Sequence, residues 1–83
     1  MNVLVTGAAG FIGFHLCSKL LKNRKIRVFG VDNFDPYYSV KLKKKRISEL
    51  KKNKNFIFKN SDLKSDKNNN YLKNKKIKFV FHL

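Results

Sequence analysis

Residues 3–13 read Val3-Leu4-Val5-Thr6-Gly7-Ala8-Ala9-Gly10-Phe11-Ile12-Gly13, and three of the chain's four glycines fall inside this stretch. Asn2 to Thr6 holds the continuous apolar run Val3-Leu4-Val5, as expected of a strand buried on both faces. Beyond the glycines, Ile12, Leu16 and Leu20 recur at helical spacing with Cys17 and Leu21 alongside. That stripe predicts a helix from about Phe11 to Lys22. A glycine-rich turn between strand and helix has a definite chemistry. It lets backbone approach a diphosphate closely, and the helix's first amides and positive dipole end face the anion. The spacing Gly7, Gly10, Gly13 alone is a weak signal, and its place between strand and helix gives it weight.

Asn23-Arg24-Lys25 breaks the helix, and Ile26 to Val31 reads as a second strand ending at Asp32-Asn33. Asp32 lies 19 residues past Gly13. A carboxylate there accepts hydrogen bonds from an adenosine ribose and repels a 2′-phosphate, which favours NAD over NADP. Gly30 would keep this strand slim beside the cofactor. Phe34 to Ser39 is loop-like and holds the single proline. Val40 to Lys52 predicts a basic amphipathic helix, with Val40, Ile47 and Leu50 near one face and Leu42 off it. Lys41, Lys43, Lys44, Lys45, Arg46, Lys51 and Lys52 cover much of the rest. Phe56 to Lys59 predicts a third strand that ends near Ser61-Asp62-Leu63. Lys64 to Lys76 reads as a short, poor helix anchored by Tyr71 and Leu72, and Ile77 to Leu83 as a fourth strand. This alternation predicts an α/β fold with a parallel sheet, right-handed crossovers and helices on both faces.

The chain has 83 residues, room for one small domain. It carries 20 Lys plus Arg against 5 Asp plus Glu, a formal charge of +15. That charge suggests an alternative, a basic module binding nucleic acid or an anionic surface. The lysines of 41–54 are read instead as a solvated helix face. Tyr37 and Tyr38 precede that run rather than interleave with it, as nucleic-acid stacking would need. No run of about 18 apolar residues is present, and no basic leader precedes the first apolar stretch. Neither a membrane nor secretion is therefore expected. The single cysteine, Cys17, reads as a small core hydrophobe and fits a cytoplasmic setting.

Thr6-Gly7-Ala8-Ala9-Gly10-Phe11-Ile12-Gly13 resembles the opening of the extended short-chain dehydrogenases/reductases, the NAD-dependent nucleotide-sugar epimerases and dehydratases. Gly30-Val31-Asp32-Asn33-Phe34 is similar to that family's second strand end. Asp35-Pro36-Tyr37-Tyr38, with Leu42-Lys43 and Arg46, resembles its UDP-glucuronate 4-epimerase branch. Ser61-Asp62-Leu63 and Phe81-His82-Leu83 resemble its third and fourth strand ends. The resemblance implies the N-terminal half of a doubly wound Rossmann sheet in the order 3-2-1-4, with 1–83 as a partial NAD-binding domain. It implies cofactor contacts from Gly7, Gly10, Phe11, Ile12, Gly13, Asp32, Asn33, Asp62 and Leu63. Phe11 and Ile12 would offer amides to the pyrophosphate, and Asp32 would hold the ribose with Asn33 lining the same pocket. Asp62 would meet the adenine amino group with Leu63 beside it, and Asp62 also suits a helix N-cap.

The implied activity is epimerisation of a UDP-sugar by transient hydride transfer to NAD, with a dehydratase or reductase as the alternatives within the family. A homodimer is allowed for the full-length enzyme. The family's catalytic Tyr-x-x-x-Lys and its Ser/Thr partner are not expected in this chain. Tyr37 with Lys41 and Tyr71 with Lys75 have the spacing in unsuitable places. The chain thus reads as an N-terminal piece, inactive alone, with an open apolar edge on the fourth strand that favours aggregation or marginal stability. His15 reads as a packed helix histidine, and His82 has no second ligand nearby for a metal.

Overall fold

The computed structural model describes residues 1–33, 39–60 and 75–83. Strand β1 spans Asn2–Thr6, helix α1 Phe11–Leu20, strand β2 Arg27–Asp32, helix α2 Val40–Leu50, strand β3 Phe56–Asn60 and strand β4 Ile77–His82. The strands form one sheet in the order β3-β2-β1-β4, and every pairing is parallel. The expected order 3-2-1-4 is therefore the observed one. The expected helix at 64–76 falls largely outside the described residues.

One face of the sheet carries Val3, Val5, Val28 and Phe56, which pack with Cys17 and Leu21 at α1 and with Ile47 and Leu50 of α2. Each such side chain contributes about 1.5–3 kcal/mol when fully buried. On the opposite face Leu4, Phe29 and Val31 are buried, with Ile57 and Ile77 against them. Among the described residues both helices lie on the first face. The adjacent Val3, Leu4 and Val5 are all nearly inaccessible, which is why β1 reads as an unbroken apolar run rather than an alternating one.

Helix α1 ends two residues earlier than expected, and of its predicted stripe Leu16, Cys17, Leu20 and Leu21 meet the core while Ile12 does not. Gly13 and Cys17 face the sheet, whereas Ile12 is 67% exposed. The cause is local. A Cβ at Gly13 would lie 2.0 Å from the Gly7 carbonyl oxygen, so Gly13 marks the side on which α1 touches the turn. Ile12, one residue before it, is rotated outward. Gly30 also has a different reason from the expected one. A Cβ there would fall 2.7 Å from the Phe56 ring and 3.0 Å from Ala8 Cβ, so the glycine makes room for core packing.

Strand β4 is joined to β1 with an irregularity at its start, since Asn2 pairs with Ile77 and Val3 with Phe79. Its Phe79, Val80 and Phe81 remain exposed among the described residues, as does Leu83.

Candidate functional site

The C-terminal ends of β1 and β2 meet the start of α1, and the site is built there. Gly7 follows β1 with φ of +67°, a left-handed conformation that L side chains rarely adopt. The chain then turns back on itself, with Gly10 N donating to Gly7 O at 3.0 Å. Gly10 is the N-cap of α1 and supplies no side-chain cap, and no acidic residue lies in the first turn. The first amides of a helix have no carbonyl one turn earlier. Those of α1 start at the exposed Phe11 and Ile12, an arrangement suited to an anion.

Asp32 closes β2 beside this turn, and its carboxylate is held by two elements. Oδ2 accepts from Ala9 N at 3.0 Å, and Oδ1 lies 3.7 Å from Lys43 Nζ of α2. The Asp32 and Lys43 side chains are 4% and 10% exposed. At an effective dielectric of 20 their gross attraction is about 4 kcal/mol, and desolvation of both charges offsets much of it. Burial of this carboxylate is tolerable because a cation and an amide face it. Arg46, also on α2, donates from Nη1 to Ala9 O at 3.1 Å and sets its guanidinium 6.0 Å from the Phe11 ring centre. Ala9 is thereby tied through its N–H to β2 and through its carbonyl to α2. A cleft of about 340 Å³ lies between Gly10 and Phe11 on one side and Ser39, Leu42, Lys43 and Arg46 on the other.

The structure thus gathers Gly7, Gly10, Phe11, Ile12, Gly13 and Asp32 at one corner, with Asn33 exposed directly after β2. Asp62 and Leu63 lie outside the described residues, as do Tyr37, Tyr38 and Tyr71. Lys43 and Arg46 are additions to the sequence-derived set. The expected solvated face of α2 holds for Lys41, Lys44 and Lys45, which are exposed, but Lys43 is only 8% exposed. A signal was present: Val40, Ile47 and Leu50 mark a stripe whose vacant position, three residues after Val40, is Lys43.

Thr6 organises the neighbouring corner. Its Oγ1 accepts from Leu83 N at 3.0 Å and lies 3.0 Å from His82 Nδ1. Among the described residues no group of three or more metal-ligating side chains occurs. His15 is exposed rather than packed into the core, in edge contact with the Phe11 and Phe14 rings. Cys17 is fully buried, and burial pushes its thiol up to about 12.

This corner invites comparison with known proteins. The sequence profile of the NAD dependent epimerase/dehydratase family matches residues 3–83. The chain belongs to that family. An uncharacterised protein of Methanocaldococcus jannaschii is 44% identical over 84 residues, covering 99% of this chain and 26% of that protein. A UDP-glucuronate 4-epimerase of Thermodesulfobacterium geofontis is 52% identical over 60 residues, 72% of this chain and 18% of the enzyme. The crystal structure of UDP-glucuronic acid 4-epimerase from Bacillus cereus, in complex with UDP-glucuronic acid and NAD, has a TM-score of 0.90. It is 42% identical, and the match covers all of this chain and 26% of that one. The chain therefore spans about a quarter or less of the length of these relatives.

Proposed function

We propose that this chain is the NAD-binding portion of a nucleotide-sugar epimerase acting on UDP-glucuronate. The observation that carries the reading is the corner where Asp32, fixed by Ala9 N at 3.0 Å, stands beside a helix start stripped of side-chain caps. The close Gly7–Gly13 approach, which leaves no room for a Cβ, supports the reading because it holds the turn tight against the start of α1, as a diphosphate-binding turn requires. Support for the substrate comes from the 42% identity to the Bacillus cereus enzyme, whose structure holds UDP-glucuronic acid and NAD.

In this reading Gly7, Gly10 and Gly13 bring backbone close to the pyrophosphate, and the Phe11 and Ile12 amides bind it at the positive end of α1. Asp32 accepts from the adenosine ribose, with Asn33 beside it. Asp62 and Leu63 would receive the adenine. Bound NAD supplies reversible hydride acceptance, and this chain's residues supply binding and orientation. No residue of the chain is assigned a catalytic role. A UDP-sugar as partner, a homodimer and a cytoplasmic location belong to the same proposal, which the free, buried Cys17 fits. No helix among the described residues is long and apolar enough to cross a membrane.

Two experiments test the proposal. Calorimetric titration of NAD into the 83-residue chain should give saturable heat that Gly10→Val and Asp32→Ala abolish. Binding that survives both substitutions would remove the site. For the substrate, residues 1–83 can replace the matching segment of the Bacillus cereus epimerase. The chimera should epimerise UDP-glucuronate and lose activity with Gly10→Val; a folded but inactive chimera would argue against this segment as the NAD-binding portion of such an enzyme.

A further inference from the structure

Lys43 occupies a core-stripe position of α2, where an ammonium needs partners to be buried without a large penalty. It points its Nζ at Asp32, 3.7 Å away, while the other oxygen of that carboxylate is held by the turn. One helical turn further on, Arg46 reaches the carbonyl of Ala9, the residue whose N–H Asp32 accepts. Both cations line the cleft beside Gly10 and Phe11. Across Asp32, Lys43 and Arg46 the formal charges sum to +1, the reverse of what Asp32 alone would present.

We propose that Lys43 is a specificity-determining residue of the dinucleotide pocket, tuning how strongly Asp32 rejects an adenosine ribose that carries a 2′-phosphate. This inference rests on the cofactor reading above. A 2′-hydroxyl needs only an acceptor, which Asp32 supplies with or without its neighbour's charge. A 2′-phosphate meets the summed field of the corner, to which Lys43 contributes a full positive charge. Loss of that charge therefore penalises the phosphorylated ligand more than the unphosphorylated one. A purely structural lysine, by contrast, would weaken both ligands equally when replaced.

The test is titration of NAD and NADP into the 83-residue chain and its Lys43→Met, Lys43→Gln and Lys43→Arg variants at fixed ionic strength. The two neutral variants should lose about tenfold more affinity for NADP than for NAD, a difference of about 1.4 kcal/mol. Lys43→Arg should keep the wild-type ratio, and added salt should shrink the difference. If Lys43→Met does not retain the wild-type circular dichroism melt, the Gln and Arg variants carry the comparison. Equal loss for both dinucleotides overturns the inference and leaves the cofactor reading standing. So does NADP binding by the wild type too weak to detect at millimolar ligand while NAD binds. Failure of a wild-type chain that circular dichroism and light scattering show to be folded and unaggregated to bind either one removes the cofactor reading and this inference together.

Discussion

Gly13→Ala separates intrinsic helix preference from the demands of the turn. Alanine is favoured over glycine in a helix interior by about 1 kcal/mol, so an isolated α1 would gain from the change. In the folded chain the new Cβ would sit 2.0 Å from Gly7 O, 2.8 Å from Gly7 C and 3.0 Å from Ala8 Cα. All three are backbone atoms, so no side chain can swing aside. Reaching ordinary contact requires α1 to retreat from the turn by about 1 Å or more, and that withdraws Cys17 and Leu21 from the sheet. Overpacking of this severity costs about 3 kcal/mol, which leaves a net loss of about 2 kcal/mol. For a chain of this size that lowers the melting temperature by about 8–16 °C. Thermal unfolding followed by circular dichroism at 222 nm reads the shift. Gly10→Ala serves as the milder comparison, since its Cβ would meet Gly7 O at 3.3 Å, a contact relieved by a few tenths of an ångström rather than by about 1 Å or more. A Gly13→Ala chain that melts at or above the wild type would refute the reasoning, because α1 would then be free to step away from Gly7.

Further outcomes are expected. Arg46→Ala removes the donor to Ala9 O and should cost about 1 kcal/mol, read as a drop of about 4–8 °C in the same melt. Cys17 is raised from 9.0 to about 12 in the folded chain, so its contribution to stability is complete below pH 9 and fades as pH climbs towards 12. Urea midpoints of wild type and Cys17→Ala should therefore converge over that range; parallel curves would deny the burial effect. Replacing both Lys44 and Lys45 by Glu alters only exposed positions and should leave NAD affinity within about twofold at 0.15 M salt. The exposed Phe79, Val80 and Phe81 of β4 predict concentration-dependent self-association of the isolated chain. Light scattering that shows a monomer at all concentrations would contradict this.

The sheet was legible because its strands are short apolar runs punctuated by polar breaks, and because their alternation with helical stretches leaves few topologies. Asp32 was legible from its place at a strand end. The facing of α1 was legible only in part, since Leu16, Cys17, Leu20 and Leu21 meet the core as the stripe implied while Ile12 does not. The deciding contact is the absence of a side chain at Gly13, and hydrophobic periodicity does not register glycine. Lys43 escaped for a related reason. Lysine is almost never buried without a partner, and its partner Asp32 lies on a different element 11 residues away. Periodicity within α2 showed the vacant stripe position but carried no information on what faced it.

The Thr6–Leu83 hydrogen bond joins residues 77 apart, and Gly7 is hemmed by Leu83 O at 3.2 Å from its virtual Cβ. The glycine turn, by contrast, touches Asp32 and α2 across short loops. Assembly of this corner then has an order. The turn, β2 and α2 can close early at small loop entropy, while β4 must wait for the longest loop in the chain. Native-state hydrogen exchange would show that order as weaker protection of β4 amides than of β1 and β2. A ligand seated on the turn would raise protection at Leu83 through Thr6, which makes the last strand a reporter of what the first turn holds.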